Sequence, residues 1–397
     1  TTGGRGPHPP RVPVGVGSGG AAQSPVVASP GAMEAGRGSF PIAATARDAQ
    51  GNSISGATVV LAATGTANTL TQPAGPTDAS GVAAGALSST RAEPKTVSAT
   101  INGVAVTQTA AVTVTVGAVS AAQSTVAAVP ATIEAGTGTA PITVTALDAH
   151  GNPISGATVV LAATGTGNTL TQPAGPTDAS GVATGTLSST KAEPKTVSAT
   201  ISGVAVIQTA TVTVTVGPVS ASQSTVAASP GAIEAGSDSA TITVTALDAH
   251  GNPISGATVV LAATGTANTL TQPAGPTDAS GVAAGALSSS QAEPKTVSAT
   301  INGVAVTQTA TVTVTVGPVS AAQSTVVASP GAIEAGSDSA TITITARDAH
   351  GNPISGATLV LAASGTGKTL AQPPGLTDAS GGATGALSST RAEPKIV

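Results

Sequence analysis

The segment AASGTGKT, Ala362 to Thr369, satisfies a relaxed phosphate-loop pattern in which Gly367, Lys368 and Thr369 would wrap and neutralise a nucleotide phosphate. That chemistry needs a strand before the loop and a helix after it, because the free amides of the helix N-terminus face the phosphates. Here LAQPPG follows, and the equivalent loop earlier in the chain reads AATGTANT, with Asn68 where Lys368 stands. Nucleotide binding fails on this context, and Lys368 reads as a drifted loop residue. His150, His250 and His350 each precede Gly-Asn-Pro, with Gln50 in the matching place. Histidines 100 residues apart on separate modules do not converge on one metal or catalytic centre, so they read as exposed turn residues. His8 stands in the Gly/Pro-rich start of the chain.

Carboxylates recur as Glu134, Asp148 and Asp178, with Asp238 and Asp338 added further on. Calcium takes roughly six to eight oxygens with several carboxylates close together, and no DxDxDG-like cluster exists. Asp at the start of a turn is explained by capping of local backbone amides; calcium at the junctions between modules stays open. The many Ser and Thr have no His and Asp constellation to activate a nucleophile. The alternation TVTVTV suggests a flat binding face or, more simply, the solvent side of a sheet. The sequence therefore assigns no catalytic, cofactor-binding or metal-binding residue, no cofactor, and no enzymatic activity.

The elements that would have to position these residues repeat. HGNPISGAT starts at His150, His250 and His350, and QGNSISGAT at Gln50, a period of 100 residues without slippage. A unit of that size is too large for a solenoid repeat and large enough to be a domain. The predicted organisation is a disordered Gly/Pro-rich tail over 1–20, then repeats over 21–117, 118–217 and 218–317, and a truncated fourth over 318–397.

Trp, Tyr and Cys are absent from the 397 residues, and Phe40 and Met33 are single. Any core is therefore thin and aliphatic, without the large rings that dominate most cores. The absence of Cys leaves the redox compartment unread. A formal charge of −5 with 8% charged residues leaves no basic patch, so nucleic acid is excluded as a partner. Apolar runs such as ATVVLAA from Ala57 fall well short of the roughly 18 residues of a spanning helix, so no membrane insertion by this segment is expected. The opening TTGGRGPHPP has no apolar signal core; an export signal is expected outside this chain.

Within the third repeat, SATITVTAL (239–247) puts Ile242, Val244 and Ala246 on one face and Thr241, Thr243 and Thr245 on the other. Period-2 alternation of this kind is a half-buried strand. Position 247 changes between Leu and Arg (Leu147, Leu247, Arg47, Arg347), as the solvent-facing register tolerates. DAHGNPISG is a turn cluster, ATVVLAATG a second strand, NTLTQPAGPTDASG a break, and GVAAGALSS and TVSATI two further strands. Asn302-Gly303 then predicts a hairpin into the long run VAVTQTATVTVTV, with Ser202-Gly203 in its place one copy earlier. With a first strand in STVAAS (224–229), about seven short antiparallel strands and no helical period predict an immunoglobulin-like β-sandwich. Linkers near Gly117, Gly217 and Gly317 are a few residues long, so neighbouring modules are expected to touch.

At the chain start, Val12, Val14, Val16 and Gly17 match Val312, Val314, Val316 and Gly317, and residues 12–17 read as the eroded last strand of a preceding repeat. At the other end, Val397 matches Val297, so the fourth copy lacks its last hairpin and is expected to be unstable alone.

The motifs IEAG, TVTALDAHGNPISGATVVL, TDASGVAAGAL and AEPKTVSATI together resemble the bacterial Ig-like domains found in tandem in invasin- and intimin-type adhesins. The resemblance covers every copy from about Ala22, but no outer-membrane barrel, peptidoglycan-binding segment or lectin-like tip accompanies it. It implies all-β, tandem immunoglobulin-like β-sandwich domains in an elongated array, a structural stalk or spacer of a bacterial cell-surface adhesin. The location is then extracellular or cell-surface, and the partner a host or neighbouring-cell receptor. Strand rise makes each module about 35 to 40 Å long, and four in line about 150 Å. The alternative is an array of ligand-binding modules that recognise carbohydrate or protein through their loops, with avidity from repetition. Against it stands the missing aromatic complement that binding hot spots favour.

Overall fold

The computed structural model describes residues 19–397, so the readings placed on residues 1–18, the tail, His8 and the strand remnant at 12–17, lie outside the described residues. Among the described residues all regular structure is strand, and no helix is long and apolar enough to cross a membrane. The chain divides into two units, 1–215 and 216–397.

In the first copy the strands are β1 (Val26–Ala28), β2 (Ala32–Glu34), β3 (Phe40–Thr45), β4 (Val59–Ala63), β5 (Asn68–Thr71), β6 (Val82–Ser89), β7 (Pro94–Ile101), β8 (Val104–Ala105) and β9 (Ala110–Thr115). One sheet runs β1-β3-β6-β5 and the other β2-β9-β7-β4, with β8 also on β7. The second and third copies repeat this order. The alternation read from sequence sets which side chains enter the sandwich: Ile242, Val244 and Ala246 are fully buried, and the intervening threonines face outward.

Two short strands depart from the seven expected. Ala32–Glu34 pairs in parallel with β9 (Met33 opposite Val114), so the sandwich is not wholly antiparallel. Three residues beside a proline and two glycines carry no period of their own, and the long partner strand organises them. Asn68–Thr71, read as part of a break, pairs with β6 because Leu70 packs on the core while Thr69 and Thr71 stay outside. The long final run is also interrupted. Asn102-Gly103 makes the hairpin at φ 50° and 81°, but Ile101 pairs Val104 while Val97 pairs Ala110. Two extra residues intervene there, freeing Thr107 N–H and the Gln108 amide for the carbonyls of Ala21 and Ala22.

Among the described residues four hydrophobic cores result, each drawn from one copy. They are aliphatic except for Phe40, which is fully buried opposite Leu87 where the other copies carry Ala140, Ala240 and Ala340. In the fourth copy one sheet forms, and Leu359–Ala363 lies outside any strand. Its counterpart Val259–Ala263 pairs with Val297–Ile301, of which the fourth copy holds only the first residue, Val397.

Candidate functional site

The motif TDASG shows how these turns are built. Thr77 is buried, donates its hydroxyl to Ile54 O (2.7 Å) and accepts from Ala57 N–H (2.9 Å). Asp78 Oδ1 accepts from the amides of Ser80 and Val82, 2.9 Å each. Gly81 is held at φ 80°, and a Cβ there would lie 2.7 Å from Ala46 O, so glycine is required.

The turn DAHGN does more than close on itself. In the second copy, Asp148 Oδ1 accepts from the amides of His150 (2.8 Å) and Asn152 (2.9 Å), and Oδ2 from the Asn152 side chain (2.8 Å). Asp148 Oδ2 also accepts from Gly117 N–H (3.0 Å), which pins the linker. Burial pushes the Asp148 carboxyl up, but the hydrogen bonds from Gly117, Asn152 and His150 outweigh it and hold it below its ordinary value.

The remaining groups of Asn152 reach into the first copy. Its amide donates to Thr90 O (2.9 Å) and its Oδ1 accepts from Ala92 N–H (2.9 Å), at 1% exposure. Every donor and acceptor of this carboxamide is thus used, as burial demands. The His150 ring lies across Gly36, where a Cβ would come within 1.8 Å of Nε2. Gly36 is at φ 74°, so conformation and contact both require glycine.

The third and fourth copies repeat the arrangement. Asn352 donates to Ser290 O (2.9 Å) and accepts from Ala292 N–H (3.0 Å), Asp348 accepts from Gly317 N–H (3.2 Å), and His350 lies across Gly236. A cavity of about 280 Å³ remains beside the first of these joints, lined by Glu34, Arg37, Gly117, Ser120, Asp148 and His150. The histidines, read from sequence as turn residues, are solvent-exposed turn residues, and His150 and His350 also cover the preceding copy.

The other sequence candidates do not converge. Asp178 caps its own turn through the amides of Ser180 and Val182. Glu134 accepts from Thr137 Oγ1, and Asp238 and Asp338 accept from the amides of Glu234 and Glu334. Among the described residues no group of three His, Cys, Asp or Glu is placed to hold a metal ion. Lys368 opens the strand Lys368–Ala371, where a phosphate loop would have a helix. Its ammonium donates to Gly365 O (2.8 Å), much as the Asn68 amide donates to Thr64 O (2.9 Å) in the first copy.

Sequence reasoning passed over the lysine of AEPK. Lys95 is wholly buried, and its ammonium donates to Thr66 O (2.8 Å) and Glu93 Oε1 (2.7 Å), while Glu93 also accepts from Thr66 N–H (2.8 Å). The hydrogen bond from Lys95 and then that from Thr66 hold the Glu93 carboxyl below its usual range. Lys195 and Lys295 are placed alike. A charge so buried is tolerated because it is paired and hydrogen-bonded. The signal was present: in PKTVSATI the lysine shares the inward face with Val97, Ala99 and Ile101.

The profile of the bacterial Ig-like domain (group 1) matches residues 24–116, 123–215, 223–315 and 322–397. The chain belongs to that family. Its four matched stretches are tandem Ig-like domains. Among solved structures, the chain is similar to FdeC, an Escherichia coli adhesin, at 26% identity over 76% of this chain and 99% of that one (TM-score 0.49). It is similar to invasin, a bacterial integrin-binding protein, at 21% identity over 91% and 72% (TM-score 0.48). It is also similar to InvD of Yersinia pseudotuberculosis, at 24% identity over 73% and 96% (TM-score 0.42). No curated protein matches the sequence.

Proposed function

We propose that this chain is a spacer segment of a bacterial cell-surface adhesin, its modules the copies at 21–117, 118–217, 218–317 and 318–397, with no catalytic activity. The observation that carries the reading is the joint. In each unit the turn of one copy is fastened to the copy before it by a fully bonded, buried asparagine. Separate cores with bonded joints suit transmission of position better than chemistry. Location at or outside the cell surface, and a receptor on a host or neighbouring cell as the adhesin's partner, are parts of the same proposal, which family membership supports.

Small-angle X-ray scattering on the whole chain tests it. A compact globule of this length has a radius of gyration of about 21 Å and an unfolded chain about 73 Å; a spacer of four modules in line gives roughly 40 Å from the strand rise. A value near 21 Å overturns the proposal. Saturable binding of a glycan or receptor by the array would favour the ligand-binding alternative.

A further inference from the structure

Each sandwich has four edge strands, and in the first copy three of them are short: β1 and β2 with three residues, β5 with four. Short edges pair poorly with foreign chains. The fourth, β4, has five residues, VVLAA, with no charge from Ala57 to Thr64 and with Val60 half exposed. It is the longest and most β-prone edge, and it is identical in the first three copies. An uncharged edge present in triplicate is a template for pairing with its own counterpart in a second copy of the chain.

The outward-facing backbone groups at the centre of that edge are already occupied. Gln72, just after β5, reaches across to β4 and mimics a passing peptide: Leu61 N–H donates to Gln72 Oε1 (2.7 Å) and Gln72 Nε2 donates to Leu61 O (2.8 Å). Gln172 does the same to Leu161 and Gln272 to Leu261. In the fourth copy Gln372 holds Leu361 by the same two bonds, although Leu359–Ala363 is outside any strand there. The carboxamide therefore engages the edge without needing the sheet behind it. The same two-point contact is made in all four copies.

We infer that these glutamines are edge plugs: Gln72, Gln172 and Gln272 prevent antiparallel pairing of the β4 edge and its equivalents between two copies of this chain, and Gln372 holds the same segment where no strand forms. The inference stands whether or not the array is a spacer. The test replaces all four glutamines with alanine in the full chain and reads amide exchange at Leu61, Leu161 and Leu261 together with sedimentation equilibrium over a hundredfold concentration range. Loss of the contact should speed exchange at these amides by about tenfold, the size of one hydrogen bond, and convert a monomer into concentration-dependent oligomers. The single variant Gln272→Ala, which leaves three plugs in place, should stop at dimers if the fourfold variant proves too unstable to purify. Gln272→Glu, which keeps the acceptor for Leu261 N–H and adds a charge to the edge, should remain monomeric. Faster exchange without association, or association of the wild-type chain and the Gln272→Ala variant to the same extent, overturns the inference.

Discussion

The first and second copies carry the same turn with different surroundings. In the first, Asp48 Oδ1 accepts from the amides of Gln50 (3.0 Å) and Asn52 (2.8 Å), and Oδ2 from the Asn52 side chain (2.9 Å), while Asn52 remains exposed. In the second the same three bonds form at nearly the same lengths, and Asn152 is buried against Thr90 and Ala92. The turn therefore builds itself, and the joint is a second layer of contacts laid on a finished structure. Burial of the asparagine belongs to the neighbour, not to the turn.

The largest effect that sharpens this comparison comes from substituting the two asparagines in turn. Asn152→Ala removes two joint bonds and leaves Ala92 N–H and Thr90 O without their partner, a loss of about 2 kcal/mol at that site. Amide exchange at Ala92 should then speed by roughly 30-fold, with Ala292 unchanged. Asn52→Ala, which loses only the turn's own part-buried bond to Asp48, should cost less than about 1 kcal/mol by the same reasoning. Equal losses from the two substitutions would mean that the joint adds nothing.

A smaller effect is expected at the receiving side. Gly36→Ala places a Cβ against the His150 ring and forces alanine to φ 74°, the conformational part costing about 1–2 kcal/mol. Adding His150→Ala should restore the steric part and leave the conformational part, so a double-mutant cycle on Ala92 exchange should show a coupling of roughly 0.5–1 kcal/mol. Strict additivity would show that the ring only rests beside Gly36.

The smallest effect over the neutral range is the response to pH. Asp148 and Asp348 titrate below their ordinary value in the folded chain, because their hydrogen bonds outweigh the burial that opposes them. Glu93, Glu193 and Glu293 do so through their lysines. A folded value below the unfolded one gives stability that is fully present above about pH 4 and is lost as pH falls through the folded value. Protection of Ala92 and Ala292, corrected for intrinsic exchange, should thus be flat from pH 8 to 5 and fall below about 4. A decline already at pH 6 would contradict this.

Several features followed from the residues alone. Period-2 alternation told which face of SATITVTAL enters the core, since neighbouring side chains of a strand must point opposite ways. The same rule applies to Lys95, which the sequence reading passed over: it shares the inward face with Val97, although its partners Thr66 and Glu93 come from the opposite loop and from two residues before it. Asn302-Gly303 gave its hairpin because only residues tolerant of positive φ fit that turn. Family membership, too, was carried by turn motifs whose residues prove to be caps and ties.

What tertiary structure decided lies wherever a segment is too short or too polar to state its own preference. Ala32–Glu34 became a parallel strand only because β9 offered it a partner, and VVLAA is a strand beside Val97–Ile101 while its near twin Leu359–Ala363 is not. Asn152, Gly36 and Gln72 read as ordinary turn residues, and nothing in their spacing names the backbone groups they meet. Local sequence fixes dihedral preferences and faces; which unpaired amide or carbonyl lies opposite depends on how separate strands and copies pack, and that is settled only by the fold.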